Sequence, residues 1–256
     1  MMRKYENIES RSNTVCKHLK KLGTSKKYRD EQKQFLCDGE KLLNEAVNSG
    51  AKIEIVICSS DLKHNLPENT RIYKARSDLI DSLSPLKNTQ GLLFSCKTPD
   101  KRSRIGLTGT NLLLDRVQDP GNVGTIIRSA FAFGVRNVIL TDGCADIYNP
   151  KTIRAAMGAL FRQPVFHLSF KEINDYKNSG IKFIGTSNNR NSSDITKLNI
   201  ADAVIVLGNE GQGISEDLST LCEEMVKIPL SPDSESLNVS VAASIIMWEL
   251  GRGKEW

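Results

Sequence analysis

KIPLSPDSESLNVSVAASIIMWEL, residues 227–250, decides how the rest of the chain is read. An apolar strand end at Val226–Leu230 runs into Pro229 and Pro232, then into a polar Ser/Asp/Glu loop, and only then into a helix carrying Val241, Ile245 and Trp248. The prolines fix φ and remove two backbone donors, so the loop between them and Leu237 joins neither sheet nor helix. Its remaining amides and carbonyls must be presented elsewhere. A ligand is one recipient; the plainer reading is a strand-to-helix loop with Asn238 as the helix N-cap.

Two upstream stretches have the same character: LLLDRVQDPGNVGTIIRSAFAFGVRNVIL at 112–140 and AVIVLGNEGQGIS at 203–215. Asp119, Pro120, Gly121 and Asn122 form a tight turn between a strand and a helix, with Asn122 placed as N-cap and Arg128 following near the helix start. Taken alone, Arg128 reads as a surface ion-pair former. The second stretch is neither a P-loop nor a dinucleotide fingerprint, because it lacks G-K-[ST] and its glycines run G-x-x-G-x-G. Glu210 would, on local grounds, compensate the N-terminus of the following helix.

Length and composition bound the answer. The chain has 256 residues, 39% hydrophobic and 25% charged, which suits one large or two modest globular domains. Its apolar runs fall short of the roughly 20 residues that span a bilayer. MMRKYENIESRSN carries no apolar core behind its basic residues, so no secretory signal is read and a cytoplasmic location is expected. Six dispersed cysteines without a C-x-x-C pair and three dispersed histidines give no metal-ligand spacing, and no metal is expected. The net charge of +5 is mild. Its distribution says more: Lys17, Lys20, Lys21, Lys26, Lys27, Arg29 and Lys33 crowd one stretch, and Lys97, Lys101, Arg102 and Arg104 another, as suits a protein gripping an RNA backbone.

In chain order, a basic helical arm with Val15, Leu19 and Leu22 at helical spacing stops at Gly23. Phe35–Gly50 reads as strand, turn at Asp38 and Gly39, and helix. Strands at Ile53–Cys58, Arg71–Ala75 and Gly91–Cys96 and a helix from Ser77 to Leu83 complete a small α/β unit, residues 1–98. A polar linker spans 99–109. The second domain, 110–256, alternates strands near Leu112–Val117, Val135–Leu140, Pro164–Leu168, Lys182–Gly185, Ala203–Leu207 and Met225–Leu230 with helices near Val123–Phe133, Lys151–Phe161, Phe170–Asn178, Ser215–Cys222 and Val239–Leu250. Unalternated apolar strands predict a mainly parallel sheet with helices on both faces, a doubly wound α/β fold. Ligands of such folds sit beyond the carboxyl ends of the strands, where Gln118–Asn122, Gly208–Gly213 and Ser231–Asn238 fall.

The ordered set N-x-G-x-x-x-R (122–128), G-N-E-G-x-G (208–213) and I-P-x-x-x-x-x-x-S-L-N-V-S-V-A (228–242) resembles the three motifs of the SpoU-type, TrmH-like branch of the SPOUT superfamily. These are RNA ribose 2′-O-methyltransferases. The resemblance implies a trefoil-knot domain, S-adenosylmethionine as cofactor, and a homodimer, to which the several-sided apolar last helix is suited. It implies catalytic roles for Asn122, Arg128, Glu210, Ser236 and Asn238, and cofactor contacts from Thr186, Leu207, Gly208, Ile228, Leu230 and Leu237. F-L-C-D-G at 35–39 and S-P-L-K-N-T-Q-G-L-L at 84–93 resemble the ribosomal-protein-like substrate-binding domain that precedes many such enzymes. That extra domain favours ribosomal RNA over transfer RNA, and its removal is expected to spare cofactor binding while weakening RNA binding.

The family's arginine is often assigned as general base, but a guanidinium holds its proton across the physiological range. Orienting the ribose through phosphate and stabilising the developing alkoxide suit Arg128 better. The chain departs from the family pattern at Pro232, where many relatives carry glycine, and at Ala156, where serine is common. Rival readings are a non-catalytic RNA-binding or ribosome-assembly factor on the same fold, and a nucleotide-binding oxidoreductase, which the missing fingerprint disfavours.

Overall fold

The computed structural model of the protein describes residues 5–87, 89–99, 105–189, 191–197, 202–234 and 236–252. The chain forms two compact units, Met1–Asp100 with Asp146–Phe161, and Lys101–Ala145 with Arg162–Trp256. Lys101, Arg102 and Arg104 of the second basic cluster lie outside the described residues.

The first unit runs β1 (Glu6–Asn7), α1 (Thr14–Thr24), α2 (Lys26–Gln32), β2 (Gln34–Asp38), α3 (Glu40–Asn48), β3 (Ile53–Cys58), β4 (Arg71–Lys74), α4 (Ser77–Asp81) and β5 (Leu92–Lys97). Its sheet has the order β1-β4-β3-β5-β2, with β5 antiparallel to both neighbours. Alternation divides the side chains between two cores, as period-two strands require. Leu36, Ile55, Ile57 and Leu93 pack with Leu19 and Leu22 of α1 and Leu79 and Ile80 of α4. Phe35, Cys37, Val56 and Phe94 pack with Leu42, Leu43 and Ala46 of α3.

Gly23 does not stop the arm. It lies inside α1, where a Cβ would press on Pro85 and Leu36, and the break falls at Ser25, whose extended backbone ends α1 while its Oγ accepts from Tyr28 N to cap α2. The exposed lysines Lys17, Lys20, Lys21, Lys26, Lys27 and Lys33 are solvated as expected, but Arg29 is not. Arg29 is buried, donating Nη2 to Asp146 Oδ2 at 2.6 Å and Nη1 to the Leu22 carbonyl at 2.7 Å.

Asp146 opens a segment that the sequence reading places in the second domain. It holds α6 (Pro150–Ala156) and a 3-10 turn at Ala159–Phe161, and it completes the first unit's core. Ile153 is buried with Phe35 and Phe94, and Tyr148 stacks on Phe35 with centroids 4.6 Å apart. The expected helix over Lys151–Phe161 breaks at Met157 and Gly158, both with positive φ. A Cβ at Gly158 would collide with the Glu45 side chain, so glycine is required there. A fragment lacking residues 1–98 therefore strips Tyr148, Ile153 and Phe161 of their partners, and the expectation of a freely separable second domain changes accordingly.

The second unit follows with β6 (Thr110–Leu114), α5 (Pro120–Ala132), β7 (Asn137–Leu140), β8 (Val165–His167), α7 (Phe170–Asn178), β9 (Phe183–Thr186), β10 (Ser193–Asp194), β11 (Ala203–Leu207), α8 (Glu216–Leu221), β12 (Glu224–Lys227) and α9 (Val239–Gly251). Its seven strands, in the order β10-β12-β9-β11-β6-β7-β8, are paired parallel throughout. Leu113, Ile139, Val204 and Val206 pack on one face with Ile173 of α7 and Leu218 of α8. Alternation sends Leu112, Leu114, Ile205 and Leu207 to the other. α5 meets α9 through Ser129 Oγ and Ser244 Oγ, 2.9 Å apart, and through an edge-on Phe133–Trp248 contact. Among the described residues no helix is long and apolar enough to cross a membrane.

The Arg29 and Asp146 side chains are only 5% and 15% exposed, so deleting one leaves a buried charge without its counterion. Arg29→Ala should lower stability by about 3–5 kcal/mol. Urea denaturation checks this, and a loss within a few tenths of a kcal/mol would show that the tether contributes nothing.

Candidate active site

Parallel pairing puts the carboxyl ends of the central strands side by side: Leu114 pairs with Leu207, and Val226 with Thr186. Three loops leave this edge, after β6, β11 and β12. Each is shaped by its own residues before it meets the others.

After β6, the α5 N-cap is Asp119, not Asn122. Asp119 Oδ1 accepts from Asn122 N at 2.8 Å, and Pro120 occupies the first helical position, where a missing N–H costs nothing. This substitution of roles frees the Asn122 side chain. Its Nδ2 donates to Glu210 Oε1 at 2.6 Å, and its Oδ1 accepts from Asn238 Nδ2 at 3.0 Å. Arg128 lies toward the C-terminal half of α5, further from the helix start than the spacing predicts; it is exposed, and no hydrogen bond or ion pair engages it among the described residues.

After β11, Asn209 and Gly213 bridge each other through paired backbone bonds of 3.0 and 2.9 Å. Asn209 Oδ1 accepts from Gly211 N and Gln212 N, rolling the loop into a closed turn. Gly208 is obligatory, since a Cβ there would fall inside the backbone of Gly213 and Ile214. Glu210 projects from this turn and not from a helix N-terminus; the acidic first-turn residues of α8 are Glu216 and Asp217. A sheet-edge turn thus carries the carboxylate to Asn122.

After β12, Asn238 is the N-cap of α9, as its position suggests. Its Oδ1 accepts from Ser240 N at 2.9 Å, Val241 N at 3.4 Å and Ser240 Oγ at 2.6 Å. With that oxygen committed to the helix, the Nδ2 is left to donate to Asn122. Ser236 is exposed two residues earlier and joins no hydrogen bond among the described residues.

The structure therefore brings Asn122, Glu210 and Asn238 together and leaves Arg128 and Ser236 outside their network. Of the six expected cofactor contacts, Thr186 and Leu207 sit on neighbouring strand ends, Thr186 donating Oγ1 to the Val206 carbonyl at 3.0 Å, and Gly208 follows directly. Ile228, Leu230 and Leu237 are half-buried, and among the described residues no hydrogen bond engages their backbone amides or carbonyls. Half-buried apolar side chains beside unpaired backbone donors and acceptors suit the edge and face of a purine, so these residues fit S-adenosylmethionine. No group of three His, Cys, Asp or Glu is placed to hold a metal among the described residues.

Two residues escaped sequence reasoning. Asp115 is buried and accepts Ser215 N at 2.6 Å, and Arg116 holds φ 54° and bonds Gln212. Only the D-R dipeptide at a strand end hinted at them, and such a dipeptide is too common to single out.

This architecture has known counterparts. Residues 109–248 match the SpoU rRNA Methylase family, and residues 13–93 the MRM3-like substrate binding domain. The chain is 32% identical over 249 residues to the Bacillus subtilis 23S rRNA (guanosine(2553)-2′-O)-methyltransferase RlmP, covering 96% of this chain and 99% of that one. It is 31% identical over 299 residues to the Xenopus tropicalis mitochondrial rRNA methyltransferase 3, covering 89% and 72%. An AdoMet-bound rRNA methyltransferase from Sinorhizobium meliloti superposes with a TM-score of 0.87 at 26% identity, over 97% of this chain and 98% of that one. The SpoU methyltransferase AviRb of Streptomyces viridochromogenes in complex with AdoMet gives 0.81 at 26% identity, over 94% and 97%. Sequence matched along both units and strand ends furnished with the Asn122–Glu210–Asn238 network lead to one conclusion: this chain belongs to the SpoU rRNA methylase family, with the SPOUT methyltransferase fold.

Proposed function

We propose that the protein transfers the methyl group of S-adenosylmethionine to a ribose 2′-hydroxyl of structured RNA, with ribosomal RNA favoured over transfer RNA. The observation that carries this reading is the hydrogen-bonded series Glu210–Asn122–Asn238, which joins all three motif loops at the carboxyl edge of one parallel sheet. The named relatives that match nearly the whole chain are rRNA methyltransferases, and both superposed neighbours hold AdoMet.

When bound, S-adenosylmethionine supplies an activated methyl on a sulfonium that departs readily, so the protein's task is positioning. Ile228, Leu230 and Leu237 would bind the adenine through their unpaired backbone groups, with Thr186, Leu207 and Gly208 lining the strand-end side. Glu210 fixes the direction of the Asn122 amide, and Asn238 fixes its other end. Arg128, exposed and uncommitted, would hold the RNA phosphate and stabilise charge developing on the 2′-oxygen. Ser236 would face the substrate beside Asn238. The 2′-hydroxyl proton would leave to solvent or a transient acceptor, with no metal required.

RNA recruitment falls to the first unit, where Lys17, Lys20, Lys21, Lys26, Lys27 and Lys33 are exposed on or beside α1 and α2. Six free cysteines, four of them buried, suit the reducing cytoplasm we assign to the protein. The same reading includes a homodimer. Val241, Ile245 and Trp248 recur on one face of α9 and are exposed, Trp248 to 59%, while Ile246 and Met247 turn inward. A largely exposed apolar stripe of this kind on a helix suits an isologous partner.

Three outcomes follow from these roles. Arg128→Lys keeps the charge but loses the planar fork, so turnover should fall on the order of 10²- to 10³-fold, with cofactor affinity by calorimetry near wild type. Raising the pH should not restore it, and a lysine variant at wild-type turnover would return Arg128 to a solvated helix charge. Asn238→Asp retains the cap oxygen but removes the donor to Asn122, so melting temperature should hold while turnover drops; parallel losses in both would reduce Asn238 to a helix cap. Light scattering at micromolar concentration should show a dimer that Trp248→Glu converts to monomer, and a wild-type monomer would contradict the assignment of the α9 face.

A further inference from the structure

Among the described residues three non-glycine residues have positive φ, and one of them, Arg116, stands at the carboxyl end of β6 within the candidate active site. A left-handed conformation strains an L-residue and persists only where surrounding contacts hold it. Those contacts are on every side. Arg116 N donates to Thr141 Oγ1 at 3.1 Å, and its carbonyl accepts from Asn209 Nδ2 at 2.9 Å. Its Nε donates to Asp115 Oδ1 at 3.3 Å, and its Nη1 to Gln212 Oε1 at 3.1 Å. The side chain lies across Gly143, where a Cβ would come within 3.3 Å of Arg116 Cγ.

Asp115 completes the arrangement. It is buried, its own N–H donates to the Leu207 carbonyl at 2.8 Å, and its Oδ2 accepts from Ser215 N at 2.6 Å. The loop that carries Glu210 is therefore pinned at its start through Asn209, at its middle through Gln212, and at its end through Ser215. All three bonds go to Asp115 or Arg116. Among the described residues Glu210 accepts one hydrogen bond, from the Asn122 amide, so its position depends on how firmly its loop is held.

We infer that Arg116, braced on the Asp115 carboxylate, is a positioning residue that acts through Glu210. The left-handed turn aims its carbonyl at Asn209 while the guanidinium, anchored by a buried charge, reaches across to Gln212. The loop then offers the Glu210 carboxylate to Asn122 in one orientation. This inference rests on the catalytic reading of Glu210 given above.

Arg116→Gly separates the two contributions of the residue. Glycine adopts φ 54° without strain, so the backbone bonds survive and only the guanidinium is lost. With the guanidinium gone the buried Asp115 carboxylate keeps only Ser215 N and Thr141 Oγ1 as partners, so the melting temperature should fall, while at temperatures well below it the KM for RNA should stay within twofold. The value of kcat should fall about 10- to 100-fold, as for a catalytic group displaced by a fraction of an ångström. Arg116→Lys, which cannot bridge Asp115 and Gln212 together, should not fully restore it. The deciding measurement is a double-mutant cycle with Glu210→Gln: if Arg116 works through Glu210, the double variant should be no slower than Glu210→Gln alone. Additive losses, a kcat loss that disappears well below the melting temperature, or a raised KM for RNA at unchanged kcat would each overturn the inference. Glu210→Gln at wild-type turnover would instead overturn the site reading beneath it.

Discussion

One carboxamide joins the three loops of the candidate site. Asn122 donates through nitrogen to Glu210 and accepts through oxygen from Asn238, and neither bond survives a flip of the amide. Its orientation is imposed from both ends. A carboxylate accepts only, so Glu210 demands the nitrogen; Asn238 has already given its oxygen to the α9 backbone, so it can only donate. The helix cap, the middle amide and the carboxylate are links in one polarised series, and the direction of each dictates the next. Asp119 makes this possible by taking the α5 cap, which leaves Asn122 free to span the loops.

Around that series the sheet supplies position and the loops supply groups. Parallel strands end at one edge, so residues far apart in sequence leave it together, β6 beside β11 and β12 beyond the intervening β9. Backbone geometry there is extreme in two places for two reasons. Gly208 is needed because the turn folds back on itself, whereas Arg116 carries a side chain where glycine would be easier and uses that side chain to hold the turn. In the first unit a different constraint operates. The Arg29–Asp146 pair and the apolar residues of Asp146–Phe161 commit a piece of the catalytic family's sequence to the core beside the substrate-binding sheet.

Much of this was legible in the residues. β3, α7 and β11 fall on the expected boundaries, because each is a compact apolar run or an amphipathic turn set between clear breakers. The parallel sheet followed from strands without alternation. β10 was missed because two residues, Ser193–Asp194, carry no pattern to detect. Two caps were misplaced: Asp119 competes with Asn122 for one helix start, and Ser25 interrupts a helix that Gly23 could have ended but does not. At the site, the family resemblance marked Asn122, Glu210 and Asn238, which are neighbours in the structure, along with Arg128 and Ser236, which stand outside their network. Asp115 and Arg116 stayed hidden because their meaning lies in partners near residues 141 and 209–215. Arg29 was read as one more surface cation for the same reason: its counterion stands 117 residues away.

The central claim is that these loops deliver a methyl group to a ribose oxygen. The most direct test supplies the purified full-length protein with S-adenosylmethionine carrying an isotopically labelled methyl group, together with ribosomal and transfer RNA from a strain lacking the gene. The RNA is then digested to nucleosides and analysed by mass spectrometry. Label in a single 2′-O-methylated nucleoside from ribosomal RNA is the result predicted here. Label on a base, or cofactor binding without transfer to any RNA, would contradict the account.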